Sequence, residues 1–421
     1  MADNFESNFT RKVSMKVLDR FESNRVLSKN VDTQLVSGQF TPNSGTQVDV
    51  KRPTDYTTIS TATGNISTSR SDIITGKATA TVQNYITVAV DYDEVDEALK
   101  MGTDISRFWD DISTRIVVDL ELAFAAYAVK NVALHQGSQN QGVRSWEDVA
   151  NAGALMQASG VPMNKRWCYF LNPYSQVALA TEQRSLGTNP EVGTANDTAT
   201  IKTNFAGFDV KTATTLPTYA TPVMPDLTGA INGTPDVSYV TAKDTMTQSI
   251  TVDGFGTFSG TIMAGTPIEI KGRNRLNLST RAPIVDESGS TVTFTGTLAA
   301  DAVLTAGAGT FVITGPAIWE DGGAYNTTDA AIADDDVVTI LGRGDKMYMP
   351  NMFWHPDAFT IASVPMKKLH STDTLATTMD GLQLRVSKYS DGDANKQTVR
   401  IDLHPAFGTM NPFFAGQGFG E

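Results

Sequence analysis

The clearest pattern of apolar positions lies near the first third of the chain. Ile105, Phe108, Trp109, Ile112, Ile116, Leu120, Phe124, Tyr127 and Asn131 recur mostly at steps of three or four, which predicts a helix over residues 104–135. Thr103 or Asp104 suits its start as a cap and Gly137 suits its end. About 30 residues at ~1.5 Å each make a rod of roughly 45 Å. No heptad is sustained, so the rod reads as a structural spine and not as a coiled coil. Before it, residues 1–47 are polar, with Val13, Val17, Leu18 and Phe21 able to share one helix face. That is too little for a core, and the segment reads as an arm carrying a short helix. Over residues 48–92 the period changes to two. Val48 and Val50, then Ala78, Ala80 and Val82, then Ile86, Val88 and Val90 alternate with polar residues around a Thr/Ser-rich tract at 57–75. This predicts a two-stranded ribbon with a polar tip, which needs another surface to lie on because such ribbons are marginal alone.

Beyond the spine, Ser145-Trp146-Glu147-Asp148 is a capping-box variant opening a helix that ends near Gly160 and Pro162. Residues 166–171 form a short apolar run, and Asn172-Pro173 supplies the cap and first position of a further helix. From residue 222 the pattern turns to Gly, Thr, Ala and Asp with short alternating runs at 248–252, 267–271, 292–294, 310–313 and 337–341. Such spacing predicts a small β barrel or sandwich. After residue 345 the mixed helix-and-strand pattern of the body resumes, with a run at 353–364 and a hairpin of 382–387 with 398–403. The organisation is α+β, with an all-β block at 222–345 inserted into the body.

Charge sharpens that division. The 421 residues carry 33 Lys+Arg and 46 Asp+Glu, a net charge of −13, so general affinity for nucleic acid is disfavoured. Residues 222–345 hold 15 acidic and 6 basic residues, whereas the remainder, at 31 against 27, is nearly balanced. With 40% hydrophobic and 19% charged residues the chain as a whole is expected to fold. No run of ~20 apolar residues suggests a spanning helix, and the first residues lack the order of a secretory signal. The single cysteine, Cys168, excludes an intramolecular disulfide framework.

Catalytic signatures are absent: there is no GxSxG, P-loop, HExxH or CxxC. His135, His355, His370 and His404 are scattered and read as structural or surface residues. Gly254, Gly256 and Gly260 have the wrong spacing for a dinucleotide loop and read as turn residues. Asp391 to Asn395 resembles the start of a calcium loop, but Lys396 stands where glycine is required, so a hairpin turn is expected. Arg343-Gly344-Asp345 matches an adhesion tripeptide that is common by chance. No cofactor or metal is expected.

Two stretches near the C-terminus resemble tailed-phage major capsid proteins. One runs from Met352-Phe353-Trp354-His355-Pro356 through Ser363-Val364-Pro365. The other is the hairpin Leu384-Arg385-Val386-Ser387-Lys388-Tyr389 with Val399-Arg400-Ile401-Asp402-Leu403. Gly207-Phe208-Asp209-Val210 with Leu216-Pro217, and Thr75 to Thr79 followed by Asn84 to Val90, are similar to coat proteins of the Salmonella and Shigella lambdoid podovirus group. The resemblance implies a Johnson-type capsid fold. Its parts would be an N-terminal arm (1–47), an extended loop (48–83) and a peripheral domain on the spine (84–144, completed by about 350–366 and 383–421). An axial domain (145–221, completed by about 367–382) and an insertion domain (222–345) would follow. The insertion resembles the family less closely than the body does.

It further implies hexamers and pentamers of the chain in a T=7 icosahedral procapsid assembled with a scaffolding protein in the host cytoplasm. A portal protein, packaged double-stranded DNA and maturation by expansion go with it, without enzymatic activity or a membrane. An acidic coat suits DNA that must slide inside the shell. Arg70 and Lys77, in or beside the polar ribbon tip, and the acidic run Asp334, Asp335 and Asp336 are the candidate contacts between subunits. Asp19 and Glu22 in the arm are the candidate contacts to a basic scaffold helix. Two other classes compete: an adhesin, suggested by the Thr/Gly-rich β block, and a hydrolase with a β accessory module. Internal repeats or a secretory signal would favour the first and a convergent polar site the second.

Overall fold

The computed structural model describes residues 5–33, 40, 45–58, 62–66, 70, 72–93, 105–185, 195, 197–235, 237–370, 373–391 and 396–420. The Gly392–Asn395 part of the calcium-like run and the proposed caps Thr103 and Asp104 lie outside these residues. Two compact units emerge, one of Met1–Val50, Thr79–Ala125 and Phe359–Gly408, the other of Lys51–Ala78, Ala126–Ala358 and Thr409–Glu421. Among the described residues no helix is long and apolar enough to cross a membrane.

In the first unit, helix α1 spans Phe5–Asn24 and buries Val17 and Phe21, while Asp19 and Arg20 stay exposed. Helix α2, Ile105–Ala128, is the spine, and its residues up to Ala125 belong here. Ile112, Ile116, Leu120 and Phe124 are buried along one face of it, with Phe124 edge-on to Phe359 and Phe407. The spine's buried Glu121 accepts hydrogen bonds from the amides of Leu27 (2.6 Å) and Ser28 (3.0 Å), which fixes the chain leaving α1. A four-stranded sheet orders Thr374–Thr377, Gln383–Asp391, Lys396–Leu403 and Ile86–Asp93, all antiparallel. Its buried Asp402 is held by Arg385, Arg400 and Thr87. Burial opposes its charge, yet those bonds hold its carboxyl below the usual range. A second sheet orders Gln47–Lys51, Lys77–Val82, Pro405–Thr409 and Phe359–Ser363.

The spine is shorter than its apolar pattern. Twenty-four residues rise about 36 Å, and the chain turns at Ala128, whose carbonyl accepts from the Asn131 amide (2.9 Å). Val132, Ala133 and Leu134 are buried even so, because Leu134–Gln136 is a strand paired in parallel with Ala415–Gly418. Apolar spacing past residue 128 is satisfied by a sheet, not by more helix.

In the second unit a mixed sheet orders Leu134–Gln136, Ala415–Gly418, Asn351–Trp354, Cys168–Leu171, Phe208–Thr212 and Asn204–Phe205. Helix α3, Trp146–Ala158, starts on a complete capping box between Ser145 and Asp148. Helix α4, Pro173–Ser185, starts where the Asn172 side chain accepts from the Tyr174 amide (3.0 Å). Val149, Ala152, Met156, Tyr169, Leu179, Phe208 and Phe353 share a core there.

The rest of this unit is built on an eight-stranded antiparallel sheet. In order, Thr247–Asp253, Thr228–Ile231, Val337–Ile340, Pro267–Asn274, Thr293–Leu298 and Ala308–Thr314 pair in turn, and the last pairs back to the first. That closure makes a six-stranded barrel, which removes free strand edges. Ala302–Thr305 and Gly260–Ile262 extend it beyond Ala308–Thr314. Ile250, Val252, Ile268, Ile270, Phe294, Phe311 and Val338 fill the interior. The chain enters and leaves through a short antiparallel pair, Tyr219–Thr221 with Lys346–Tyr348.

Candidate assembly site

The extended loop begins and ends as strands, but the described residues between them are not a ribbon. Gln47–Lys51 and Lys77–Val82 pair, while residues 52–58, 62–66, 70 and 72–76 carry no strand. After one last backbone bond, from the Arg52 amide to the Gly76 carbonyl (2.9 Å), the main-chain groups of Asp55, Ile74 and Thr75 turn to side chains of the same unit. The Tyr325 hydroxyl accepts from the Asp55 amide (2.8 Å) and lies 3.3 Å from the Ile74 carbonyl, to which it donates. The Tyr325 ring is stacked on Tyr239, 3.6 Å between centroids and 1° from parallel. Arg281 pairs with Asp55 at 2.7 Å. On the return limb, Lys243 Nζ donates to the Thr75 carbonyl (3.2 Å) and Asp244 accepts from the Lys77 amide (3.1 Å).

Arg52 sits at the base of these limbs. Its guanidinium donates to the carbonyls of Lys77, Thr409 and Met410. Burial lowers its pKa to about 10, against the opposing influence of Tyr239 and Asp244, so it remains charged at neutral pH. The loop residues Tyr56, Ile66 and Ile73 are 51%, 52% and 75% exposed, an apolar display that the unit itself leaves uncovered.

The barrel has a second attachment, to the mixed sheet and its flanks. Arg275, 3% exposed, donates to the carbonyls of Ala133 (3.0 Å) and Thr295 (2.6 Å) and lies over the rings of Phe294 and Phe413. Burial brings its pKa down to about 10. Gln417 Nε2 donates to the Gly265 carbonyl (2.8 Å), Asn277 Nδ2 to that of Ala158 (2.7 Å), and Thr314 Oγ1 to that of Lys130 (2.7 Å). At Gly315, φ is +78°, and a Cβ would come 2.4 Å from the Ala133 Cβ. The backbones meet there too closely for any side chain.

The candidate contact residues are placed as follows. Arg70 is exposed, and Lys77 is an exposed strand residue tied by its amide to Asp244. Asp336 is committed within the barrel, to Arg273 (2.7 Å) and to the Ala333 amide (2.7 Å). Asp334 accepts from the Gly233 amide (2.6 Å), and Asp335 is exposed in a left-handed turn at φ +66°. Asp19 is exposed, whereas Glu22 accepts from the Met379 amide (2.7 Å). Tyr239, Lys243, Arg281 and Tyr325 escape sequence reasoning, because each is brought to the loop by contacts far along the chain.

Residues 1–420 match the family described as P22 coat protein, gene protein 5. A major capsid protein of Acyrthosiphon pisum secondary endosymbiont phage 1 is 34% identical, with all of both chains covered. Solved structures similar to this chain include one from Mycobacterium phage Che8, at 12% identity over 93% of this chain and 90% of that one, with a TM-score of 0.46. Another is the capsid of cyanophage P-SCSP1u, at 9% identity, 90% and 85% coverage and a TM-score of 0.45. The full-length sequence likenesses carry the assignment: the chain belongs to the P22 coat protein family of phage major capsid proteins.

Proposed function

We propose that this shell subunit assembles with a scaffolding protein into an icosahedral T=7 procapsid that takes in double-stranded DNA through a portal and matures by expansion. Assembly would occur in the host cytoplasm. The observation that carries this reading is the family match over residues 1–420. It is supported by a loop that exposes Tyr56, Ile66 and Ile73 without a cover of its own. Residues 222–345 act as an inserted domain, as the self-contained pairing of the barrel and its adjacent entry and exit strands support. Arg70 and Lys77, with the exposed Asp334 and Asp335 and the more enclosed Asp336, are the proposed contacts to neighbouring subunits. Asp19 and Glu22 are those to a basic scaffold helix. The net charge of −13 keeps enclosed DNA free to slide.

The test is assembly of purified subunit with and without co-expressed scaffolding protein, followed by sedimentation and electron microscopy. Closed or aberrant shells are expected, and a species that stays a small oligomer at every concentration and scaffold ratio overturns the reading. In the same assay, reversing Arg70 and Lys77 together to Glu should slow shell formation, since like charges across an interface are penalised. Unchanged assembly across a wide salt range removes those two residues from the contact.

A further inference from the structure

We propose that the barrel is a clamp on the extended loop. It grips both limbs and so sets the direction in which Tyr56, Ile66 and Ile73 are offered to a second copy of this chain. The partner rests on the assembly reading above; the clamp itself rests on geometry within one unit.

Beyond one last backbone bond, from the Arg52 amide to the Gly76 carbonyl (2.9 Å), residues 53–58 and 72–75 lie between two paired strands without continuing the ladder. Main-chain groups left without a ladder need other partners, and here side chains of the barrel region supply several of them. One hydroxyl, that of Tyr325, bonds both limbs at once, accepting from Asp55 and donating to Ile74. Its ring is fixed by the flat stack on Tyr239, so the tie has a defined position. Arg281 holds the outgoing limb through Asp55, while Lys243 and Asp244 hold the returning limb at Thr75 and Lys77.

Gly76 lets that limb approach: a Cβ there would come 2.6 Å from the Lys243 carbonyl oxygen. No other residue type allows the contact without a shift of backbone. A loop held in place before it meets a partner loses less freedom on binding than a loose one. The barrel then contributes to assembly through the loop, without touching the neighbour at these residues.

The experiment is hydrogen exchange on the full-length monomer, paired with the rate of shell formation, for the parent chain, Tyr325→Phe and Gly76→Ala. Tyr325→Phe keeps the ring stack and removes the double tie. The Asp55 amide should then exchange about threefold to tenfold faster, the loss of one ordinary hydrogen bond. Gly76→Ala, which replaces no barrel residue but crowds the Lys243 carbonyl and the Tyr239 hydroxyl, should speed exchange at Lys77. In both variants the barrel amides of residues 248–252 should exchange as in the parent, and shell formation should slow or yield misclosed shells. Parent-like exchange at Asp55 and Lys77 in both variants overturns the clamp, and loosened limbs with unchanged assembly overturn its role toward the second copy. A parent chain that forms no shells counts against the assembly reading alone, since the exchange measurements still decide whether the clamp exists.

Discussion

The barrel is attached to the rest of its unit in two ways that differ in wetness. On the side of the mixed sheet, Arg275, Asn277 and Thr314 of the barrel region and Gln417 of the sheet reach main-chain carbonyls, with Arg275, Thr314 and Gln417 buried. Toward the extended loop the ion pair is open to water: the side chain of Asp55 is 45% exposed and that of Arg281 22%. Removing a dry donor strands its acceptor, at a cost of ~1–3 kcal/mol for each group left unpaired. Removing a wet one lets water take its place, so an exposed pair is worth ~0–1 kcal/mol. The same barrel is therefore mounted firmly on one side and held reversibly on the other. A loop that has to meet a neighbour needs the second kind of bond.

The sharpest way to break this contrast is Arg275→Met. It leaves the carbonyls of Ala133 and Thr295 without their buried donor and should cost roughly 3–5 kcal/mol in denaturant unfolding of the subunit. A loss below about 1 kcal/mol would mean that the mount is not held by its polar contacts.

Acid should weaken the mount next. His135, in the strand beside Ala133, is pushed by burial down to a pKa of about 4 and is bonded at Nε2 to the Gln139 side chain. A histidine whose folded pKa is depressed stabilises the fold above its unfolded pKa, ~6.5. That stability is lost as pH falls from there towards 4, because the unfolded chain binds the proton first. The loss reaches at most about 3 kcal/mol, less to the extent that the part-exposed ring keeps water. Stability measured from pH 7 to 4 should fall more steeply in the parent than in His135→Gln, and parallel curves would remove His135 from the account.

The smallest effect belongs to the clamp. A double-mutant cycle of Asp55→Ala and Arg281→Ala should give a coupling of ~0–1 kcal/mol that fades in 1 M salt. A coupling above ~2 kcal/mol that salt does not screen would make the two attachments alike.

Local signals were legible where the chemistry is local. Ser145 and Asp148 form the capping box that their spacing announces, Asn172-Pro173 opens α4, and the five short β runs all fall on barrel strands. The hairpin near the C-terminus pairs in register from Leu384↔Leu403 to Asp391↔Lys396. Two errors share one cause. Past Ala128 the apolar period reads as helix because burial by a strand at the far end of the chain looks the same locally. The ribbon read over 48–92 pairs only at its base, Gln47–Lys51 with Lys77–Val82, because the polar tract at 57–75 gives no local sign of side-chain partners 167–270 residues away, such as Asp244 or Tyr325. The candidate site fared likewise. Exposed charge at Arg70 and Asp19 was readable, but the internal commitments of Asp336 to Arg273 and of Glu22 to Met379 were not.

The paired strands through which the chain enters and leaves the barrel have a mechanical consequence. Both barrel-side ends, Thr221 and Lys346, lie at the same end of the ladder, followed by Ala220 with Met347 and Tyr219 with Tyr348. Drawing Thr221 and Lys346 apart at the base of the barrel would load these pairs one after another, like a zipper, and not all together in shear. Three pairs opened in sequence resist little force. A pull along both connectors together runs instead down each covalent backbone and leaves the three pairs unloaded, so the junction gives way to spreading and holds against tension.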